Sequence, residues 1–427
     1  VTVPGPRQET AGTADVIVPD GVRERALRLA DALPAYVYDL AALDSHAATV
    51  RRALPGIELY YAVKANPDPA LLHVLAPYAD GFEVSSIGEV AHVRSVLPDA
   101  RLAFGGPGKT DAELALDVHR LHVESPGELR RLIDMDVPAD ALLRVNLDVP
   151  VHGASLAMGG GATPFGMDPD GVLECLRLTD AQSLGPTGDH NHAKSLRPVD
   201  GQNRVESLRP TGGQNRVESL RPTGGQNRVR LRGVHAHLAS GLDAPALLGL
   251  AEAVLAFGRG LEATEINLGG GMAVSYDAPD KLFDWQRYGL GLNALRAPGE
   301  TLRIEPGRAL TAYCGWYLTR VLDVKRVHGE VFAVLTGGTH HLRTPVAKGH
   351  DHPFAVLPTG RPGTGITDEP VTLAGQLCTP KDVFARRVVT SVNTGDIIAF
   401  AMAGAYAWTI SHHDFLMHPK PAFHYLT

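Results

Sequence analysis

Three observations in the sequence predict an α/β chain, a closed (β/α)8 barrel followed by a smaller C-terminal β domain. Between Leu59 and Arg308, short β-rich runs alternate with stretches of helical pattern, as in a parallel sheet covered by helices. Eight such runs occur, at Leu59–Ala65, Gly81–Ser86, Arg101–Gly106, Leu121–Ser125, Leu142–Leu147, Arg232–Leu238, Glu265–Gly270 and Arg303–Arg308. Eight units over roughly 250 residues close a barrel once one insertion is set aside. Beyond Arg308 the alternation stops, and after a helix-like run to about Leu318 come β-rich segments at Gly329–Leu335, Pro370–Leu377, Arg387–Ser391 and Asp396–Phe400.

Taken in order, residues 1–20 are rich in Pro, Gly, Thr and Ala and read as a loose N-terminal arm. A helix over Val22–Leu33 and a strand at Ala35–Asp39 follow, then a helix through Ala53. The segment 21–43 is expected to join the β domain, with the barrel at 44–308 and the β domain at 309–427. The insertion, at about 184–230 after a helix at Gly171–Leu178, contains three near-identical twelve-residue units, Ser195–Glu206, Ser207–Glu218 and Ser219–Arg230. They are polar, each has Pro and Gly, and they carry seven Arg against three acids, so they form no core of their own. A flexible loop on the face opposite the strand ends is the expectation, and a basic docking patch is the functional alternative.

Composition narrows the function. At 427 residues with 44% hydrophobic content the chain can bury a sizeable core, and a net charge of −7 argues against nucleic-acid or anionic-membrane binding. No run approaches the roughly 20 apolar residues of a membrane span. Cys175, Cys314 and Cys378 stand far apart, which excludes a disulfide framework and suits a reducing, cytoplasmic compartment.

The chemistry gathers where strand C-termini converge. Leu59-Tyr-Tyr-Ala-Val63 carries an apolar strand to Lys64, and Asn66-Pro67 stops it. One of only eight lysines, it is either a snorkelling surface residue or a Schiff-base nucleophile whose pKa desolvation lowers. Other strand ends supply Glu83, Ser85 and Ser86, with Glu89 beyond, then Arg144, Asn146, His235, His237, Ser240, Gly269-Gly270-Gly271, Glu305 and Arg308. Backbone amides of the glycine run, with Arg308 and Ser240, suit a phosphate after strands seven and eight. A phosphate anchor, a nucleophilic lysine and a carboxylate together suggest pyridoxal 5′-phosphate (PLP), with Glu305 available to its ring nitrogen or, alternatively, to an ion pair with Arg308. His235-x-His237 points the same way and admits a metal-dependent barrel hydrolase, for which no further convincing ligands are found. Gly108-Lys109-Thr110 lacks the first glycine of a P-loop, and His190-Asn-His192 borders the repeats.

Seven ordered motifs carry a family resemblance: Tyr-Tyr-Ala-Val-Lys64-Ala-Asn, Phe-Glu-Val-Ser-Ser-x-x-Glu89, His237-Leu-Ala-Ser240-Gly, Asn-Leu-Gly-Gly-Gly271, Glu305-Pro-Gly-Arg308, Cys378-Thr-Pro-Lys-Asp382 and Gly404-Ala-Tyr406. They resemble the ornithine/diaminopimelate-type decarboxylases, fold-type III PLP enzymes with an alanine-racemase-like barrel, over roughly residues 30–180 and 230–427. The resemblance implies that Lys64 binds the cofactor aldehyde and His237 stacks on its ring. It implies that Ser240, Gly270, Gly271, Arg308 and Tyr406 hold the phosphate, and that Glu305 pairs with the ring nitrogen. Cys378 would come from a partner subunit and reprotonate the carbanion after carbon dioxide leaves, in a homodimer with shared active sites. In the ornithine and diaminopimelate enzymes an acid usually follows this cysteine to hold a distal ammonium; here the residue is Thr379.

Two stretches, His340-His341-Leu-Arg343-Thr-Pro and Gly349-His350-Asp-His352-Pro-Phe, concentrate cationic or donor groups suited to a carboxylate-rich distal group. With the segment from Tyr406 to Pro419 they resemble the siderophore-biosynthesis branch, which decarboxylates citrate-conjugated amino acids such as citryl-diaminopropionate. Arg144, His341, Arg343 and Asp382 are the expected substrate-binding residues, and decarboxylation of a free basic amino acid is the runner-up. A non-catalytic binding protein has no need of Lys64, Glu305, Arg308 and Cys378 together.

Overall fold

A computed structural model describes residues 16–150, 153–157, 159–183, 228–343 and 351–427. Its first strand, β1 (Ala35–Asp39), lies between helices α1 (Asp20–Arg28) and α2 (Leu40–Ala53). There follow β2 (Glu58–Ala62), α3 (Pro69–Leu75), β3 (Gly81–Val84), α4 (Ile87–Val96), β4 (Leu102–Phe104), α5 (Asp111–Leu114), β5 (Arg120–Val123), α6 (Pro126–Asp134) and β6 (Ala139–Arg144). Next come β7 (Leu156–Ala157), α7 (Pro169–Ser183), β8 (Val229–His235), β9 (Ala239–Ser240), α8 (Ala244–Gly260), β10 (Glu265–Asn267), α9 (Trp285–Leu295), β11 (Thr301–Ile304) and α10 (Arg308–Thr311).

Eight strands, β2, β3, β4, β5, β6, β8, β10 and β11, close into one parallel barrel, and each lies within or overlaps one of the eight runs expected from sequence. Helix starts are written locally. Ser86, two residues past β3, accepts the Glu89 N–H at 3.1 Å, and Ser125, two past β5, accepts that of Glu128 at 3.0 Å. Thr110 closes a capping box with Glu113, which is the local role of the Gly-Lys-Thr sequence. Short capped turns of this kind hold the strand C-terminal ends in register.

The remaining strands, β12 (Gly315–Val327), β13 (Glu330–Leu335), β14 (Phe354–Leu357), β15 (Gly365–Ala374), β16 (Val383–Asn393), β17 (Ile397–Phe400) and β18 (Ala422–Leu426), build a second sheet. Its order is β14-β17-β12-β13-β15-β16, and β1 joins it by pairing antiparallel with β12 and parallel with β18. Two sequence expectations change here. The helix-like run to Leu318 ends at Thr311, followed by a 3-10 turn over Ala312–Cys314. Gly315 then opens the longest strand of the sheet, whose first five residues are all buried, so no alternation marks it as β. The short strands β14 and β18 also escaped the sequence reading.

The insertion also ends earlier than expected. Val229 and Arg230, from the last repeat unit, already pair with Ala139 and Asp140 in the barrel, and Arg230 Nε stands 2.7 Å from Asp140 Oδ1. The expected flexible loop and His190-Asn-His192 otherwise lie outside the described residues. No helix among the described residues is long and apolar enough to cross a membrane.

Inside the barrel, the N-terminal ends of the strands carry a charged layer. Arg303, 2% exposed, donates from Nε to Glu58 at 2.9 Å and approaches Glu265 at 3.5 Å, while its guanidinium lies 4.6 Å from the Tyr60 ring centre. Arg120 donates from Nε to Glu265 at 2.7 Å. Arg303→Ala would leave Glu58 and Glu265 without their shared cation, and a loss of about 3 kcal/mol is expected, read as a lower denaturation midpoint. Arg326→Ala, which removes an exposed pair with Glu369, is expected to stay within about 0.5 kcal/mol of wild type in the same assay.

Candidate active site at the barrel mouth

β2 ends at Ala62, and Lys64 stands on the 3-10 turn Val63–Ala65 that follows. The chain leaving β11 closes over that turn. Ala62 N–H donates to Pro306 O at 3.1 Å, and a Cβ on Gly307 would come within 3.0 Å of the Ala65 Cβ. Glycine therefore lets Glu305-Pro-Gly-Arg308 dock against the lysine turn. The Lys64 side chain is 41% exposed, and its amine pairs with the buried carboxylate of Glu83 from the end of β3. Burial opposes the charge on Lys64, but Glu83, reinforced by Tyr406, outweighs it and holds the amine well above its ordinary range. The expectation that desolvation lowers this pKa is thus wrong in direction, because a carboxylate is in contact with the ammonium.

His237 lies just past β8. Gly270 N–H donates to its Nδ1 at 3.3 Å, so the proton resides on Nε2, 3.2 Å from Ser240 Oγ. Burial, helped by Lys64 and Arg144, lowers its pKa to about 4, and the ring is neutral near pH 7. The glycine run is packed hard against this layer. A Cβ on Gly271, at φ +106°, would stand 2.2 Å from Ala239 O. Arg308 donates from Nη1 to Tyr276 Oη at 2.7 Å and sits 4.5 Å from the Tyr406 ring centre. Tyr406 itself is tied to the lysine turn through its N–H to Ala65 O at 2.8 Å. No ion pair joins Arg308 to Glu305 among the described residues. Glu305 instead bonds Asn267 Nδ2 at 2.6 Å and His235 Nε2 at 3.1 Å.

Strand β5 holds what the sequence reading missed. Side chains alternate along a strand, so Arg120, His122 and Glu124 face one way, with Leu121 and Val123 between them. That polar alternation was the available signal. Glu124 accepts from Arg144 Nη1 at 2.6 Å and from Gly106 N–H at 2.7 Å, which fixes the buried Arg144 at the mouth. His122 joins His235 and Glu305 in a group whose donor atoms lie within 4.8 Å of one another. A third candidate ligand for the metal alternative therefore exists, yet His235 spends Nε2 directly on Glu305.

Comparison with known proteins decides the class. A family model described as "Pyridoxal-dependent decarboxylase, C-terminal sheet domain" matches residues 35–404. The chain belongs to this decarboxylase family. It is 37% identical over 420 residues to a 2-[(L-alanin-3-ylcarbamoyl)methyl]-2-hydroxybutanedioate decarboxylase of Staphylococcus aureus, covering 92% of this chain and 94% of that one. An L-glutamyl-[BtrI acyl-carrier protein] decarboxylase of Niallia circulans is 28% identical, with 91% and 87% covered. The fold matches that of diaminopimelate decarboxylase from Helicobacter pylori with a TM-score of 0.74 at 22% identity, 92% of each chain being covered.

PLP is the cofactor of this decarboxylase, and the residues at the mouth fit it. An amine, a neutral imidazole bonded to the glycine turn, a buried carboxylate and an arginine between two tyrosine rings are the donor set for an aldehyde, a ring, its nitrogen and a phosphate. The runner-up metal hydrolase reading falls with this membership.

The sheet domain revises the expected substrate residues. His341 is 1% exposed, accepts from Tyr317 Oη at 2.9 Å and donates from Nε2 to Pro419 O at 2.9 Å, leaving nothing for a ligand. His340 and His352 are buried as well, and burial lowers the three to about 3 to 4. The anticipated cationic cluster is therefore a set of neutral core rings; His350 lies outside the described residues. Asp382, 2% exposed, spends its carboxylate on the N–H groups of Thr339 at 2.6 Å and Leu377 at 2.8 Å, so it anchors the Cys378 loop. Arg343 and Cys378 remain exposed. Among the described residues, no hydrogen bond, ion pair or ring contact joins the loop 375–382 to Lys64, His237, Glu305 or Arg308.

Replacing Glu83 tests the control of Lys64. In cofactor-free Glu83→Gln decarboxylase the charge that raises the lysine is gone while burial, which lowers it, remains. Borohydride-trapped capture of PLP is therefore expected to reach its plateau at a lower pH than in wild type. An identical pH profile would remove Glu83 from that role.

Proposed function

We propose that this decarboxylase removes the α-carboxylate of an amino acid whose side-chain nitrogen carries a citrate-like, carboxylate-rich acyl group, a step of siderophore biosynthesis. The single observation that carries the reading is the 37% identity to the Staphylococcus aureus enzyme, whose name describes such a conjugate. Diaminopimelate decarboxylases from Deinococcus radiodurans and Bacteroides thetaiotaomicron are 26% and 27% identical. Two features of the chain support it. Thr379 stands where a distal ammonium needs an acid, and Arg343 offers an exposed cation beside the segment that leads away from Tyr406, its N–H bonded to Ser411 Oγ at 2.7 Å.

Bound PLP supplies the electron sink for the carbanion left when carbon dioxide departs. The chain supplies the rest. Lys64 would hold the cofactor through its amine, and Glu83, in contact with that amine, would take up the proton it must give up. His237, neutral and locked by Gly270 and Ser240, would lie against the ring. The glycine turn, Ser240, Arg308 and Tyr406 would hold the phosphate, and Glu305 the ring nitrogen. Arg144, pinned by Glu124, would orient the substrate's carboxylate for its departure. Cys378 delivers the proton to Cα from the second subunit of a homodimer.

Carbon dioxide release, with mass-spectrometric identification of the product, checks the substrate class. Turnover of citryl-diaminopropionate is expected to exceed that of ornithine, lysine, arginine or diaminopimelate at least about a hundredfold. A free diamino acid turned over faster would overturn the reading. Arg343→Ala is expected to raise KM for the conjugate about tenfold with kcat little changed.

Mixing two dead variants tests the shared site. Lys64→Ala and Cys378→Ala are each expected to lack turnover, and after subunit exchange about a quarter of wild-type activity is expected to return. No recovery from a demonstrably mixed dimer would place Cys378 elsewhere.

A further inference from the structure

Glu305 is hydrogen-bonded by two side chains, and flanked by a third, that the mechanism above does not use. Asn267 donates from Nδ2 to Oε1 at 2.6 Å, His235 Nε2 lies 3.1 Å from Oε2, and His122 Nε2 lies 3.7 Å from Oε1. The His122 and His235 rings stack, with centroids 4.0 Å apart and planes 14° from parallel. None of the four is more than 5% exposed. His122 Nε2 and His235 Nδ1 have no hydrogen-bond partner among the described residues. Leaving two buried nitrogens unpaired costs stability, so packing alone gives this pair no reason to be imidazoles.

Charge supplies the reason. His235 faces Arg144, His237, Lys64 and Arg303, and His122 faces His235, Lys109 and Arg144, with Glu305 as the opposing anion. Burial and these cations keep both rings neutral. A neutral His235 gives Glu305 an N–H without cancelling its charge, whereas an imidazolium, Lys or Arg at that position would compete for the carboxylate. Asn267 is likewise a neutral donor, and its Oδ1 accepts the Gly269 N–H at 3.0 Å, which ties the arrangement to the glycine turn.

We propose that His235 and Asn267 are positioning residues that fix the Glu305 carboxylate with neutral donors, with His122 stacked behind His235, and so reserve its negative charge for the protonated ring nitrogen of the cofactor. This rests on the reading of Glu305 as the partner of that nitrogen. Within the group His122 acts through His235: its ring blocks one face of the imidazole and makes a proton on His235 costlier.

The test compares PLP-loaded Glu305→Gln, His235→Leu, His235→Asn and His122→Phe with wild type by visible absorption of the bound cofactor from about pH 6 to about pH 9 and by its rate of loss on dialysis. Circular dichroism establishes folding. Glu305→Gln is expected to shift the band and speed cofactor loss about tenfold. His235→Leu is expected to introduce a pH-dependent change of the band that wild type lacks, and His235→Asn, which keeps a donor, to reverse most of it. A wild-type band at every pH in folded His235→Leu, beside a shifted Glu305→Gln, overturns the inference and leaves Glu305 in place. An unshifted Glu305→Gln overturns the reading of Glu305 itself. Should His235→Leu fail to fold, His122→Phe decides: a smaller change of the same kind supports the proposal, and an unaltered band overturns it.

Discussion

The site depends on how the barrel closes. β11 returns to pair with β2, and only that pairing lays Glu305-Pro-Gly-Arg308 over the turn that carries Lys64. Gly307 is the steric condition for the contact, since any side chain there would meet Ala62 and Ala65. Tyr406 is drawn to the same turn by its hydrogen bond to Ala65 O, so the sheet domain and the barrel meet at the lysine. Without closure, the nucleophile, the nitrogen partner and the phosphate arginine would belong to three separate stretches of chain.

Closure also forces polar residues into a low-dielectric interior, and the barrel handles them in layers. Near the strand N-termini, Arg120 and Arg303 neutralise Glu58 and Glu265 as direct ion pairs. One layer up the solution changes, because Glu305 receives neutral donors. At the mouth, Glu83 and Glu124 are paired again, with Lys64 and Arg144. A carboxylate left uncompensated between two compensated layers is costly unless a ligand brings the missing charge.

The sheet domain contributes by placement. Its His340, His341 and His352, which look cationic in the sequence, are core residues: His341 bonds Tyr317 Oη and Pro419 O, and His352 bonds Ala401 O. What it exposes is the Cys378 loop, held from beneath by Asp382, and Arg343.

Much of this protein was legible in its sequence. Strand and helix periodicity, with Ser, Thr and Asp at helix starts, is local, and it determined the eight-stranded barrel. Ordered motifs around Lys64, His237, Gly271, Glu305, Arg308 and Tyr406 determined the family and its cofactor. What depends on solvent and on neighbours distant in the chain was settled only by tertiary structure. Gly315–Val327 hid as a strand because burial of its first five residues on both faces erased the alternation there. The ionisation of Lys64 and the neutrality of His340, His341 and His352 follow from burial and contacts no spacing encodes. His122 became visible as a neighbour of Glu305 and His235 only when β5 and β11 faced each other across the closed barrel, since a pKa or a ring contact belongs to the assembled surroundings and not to the residue alone.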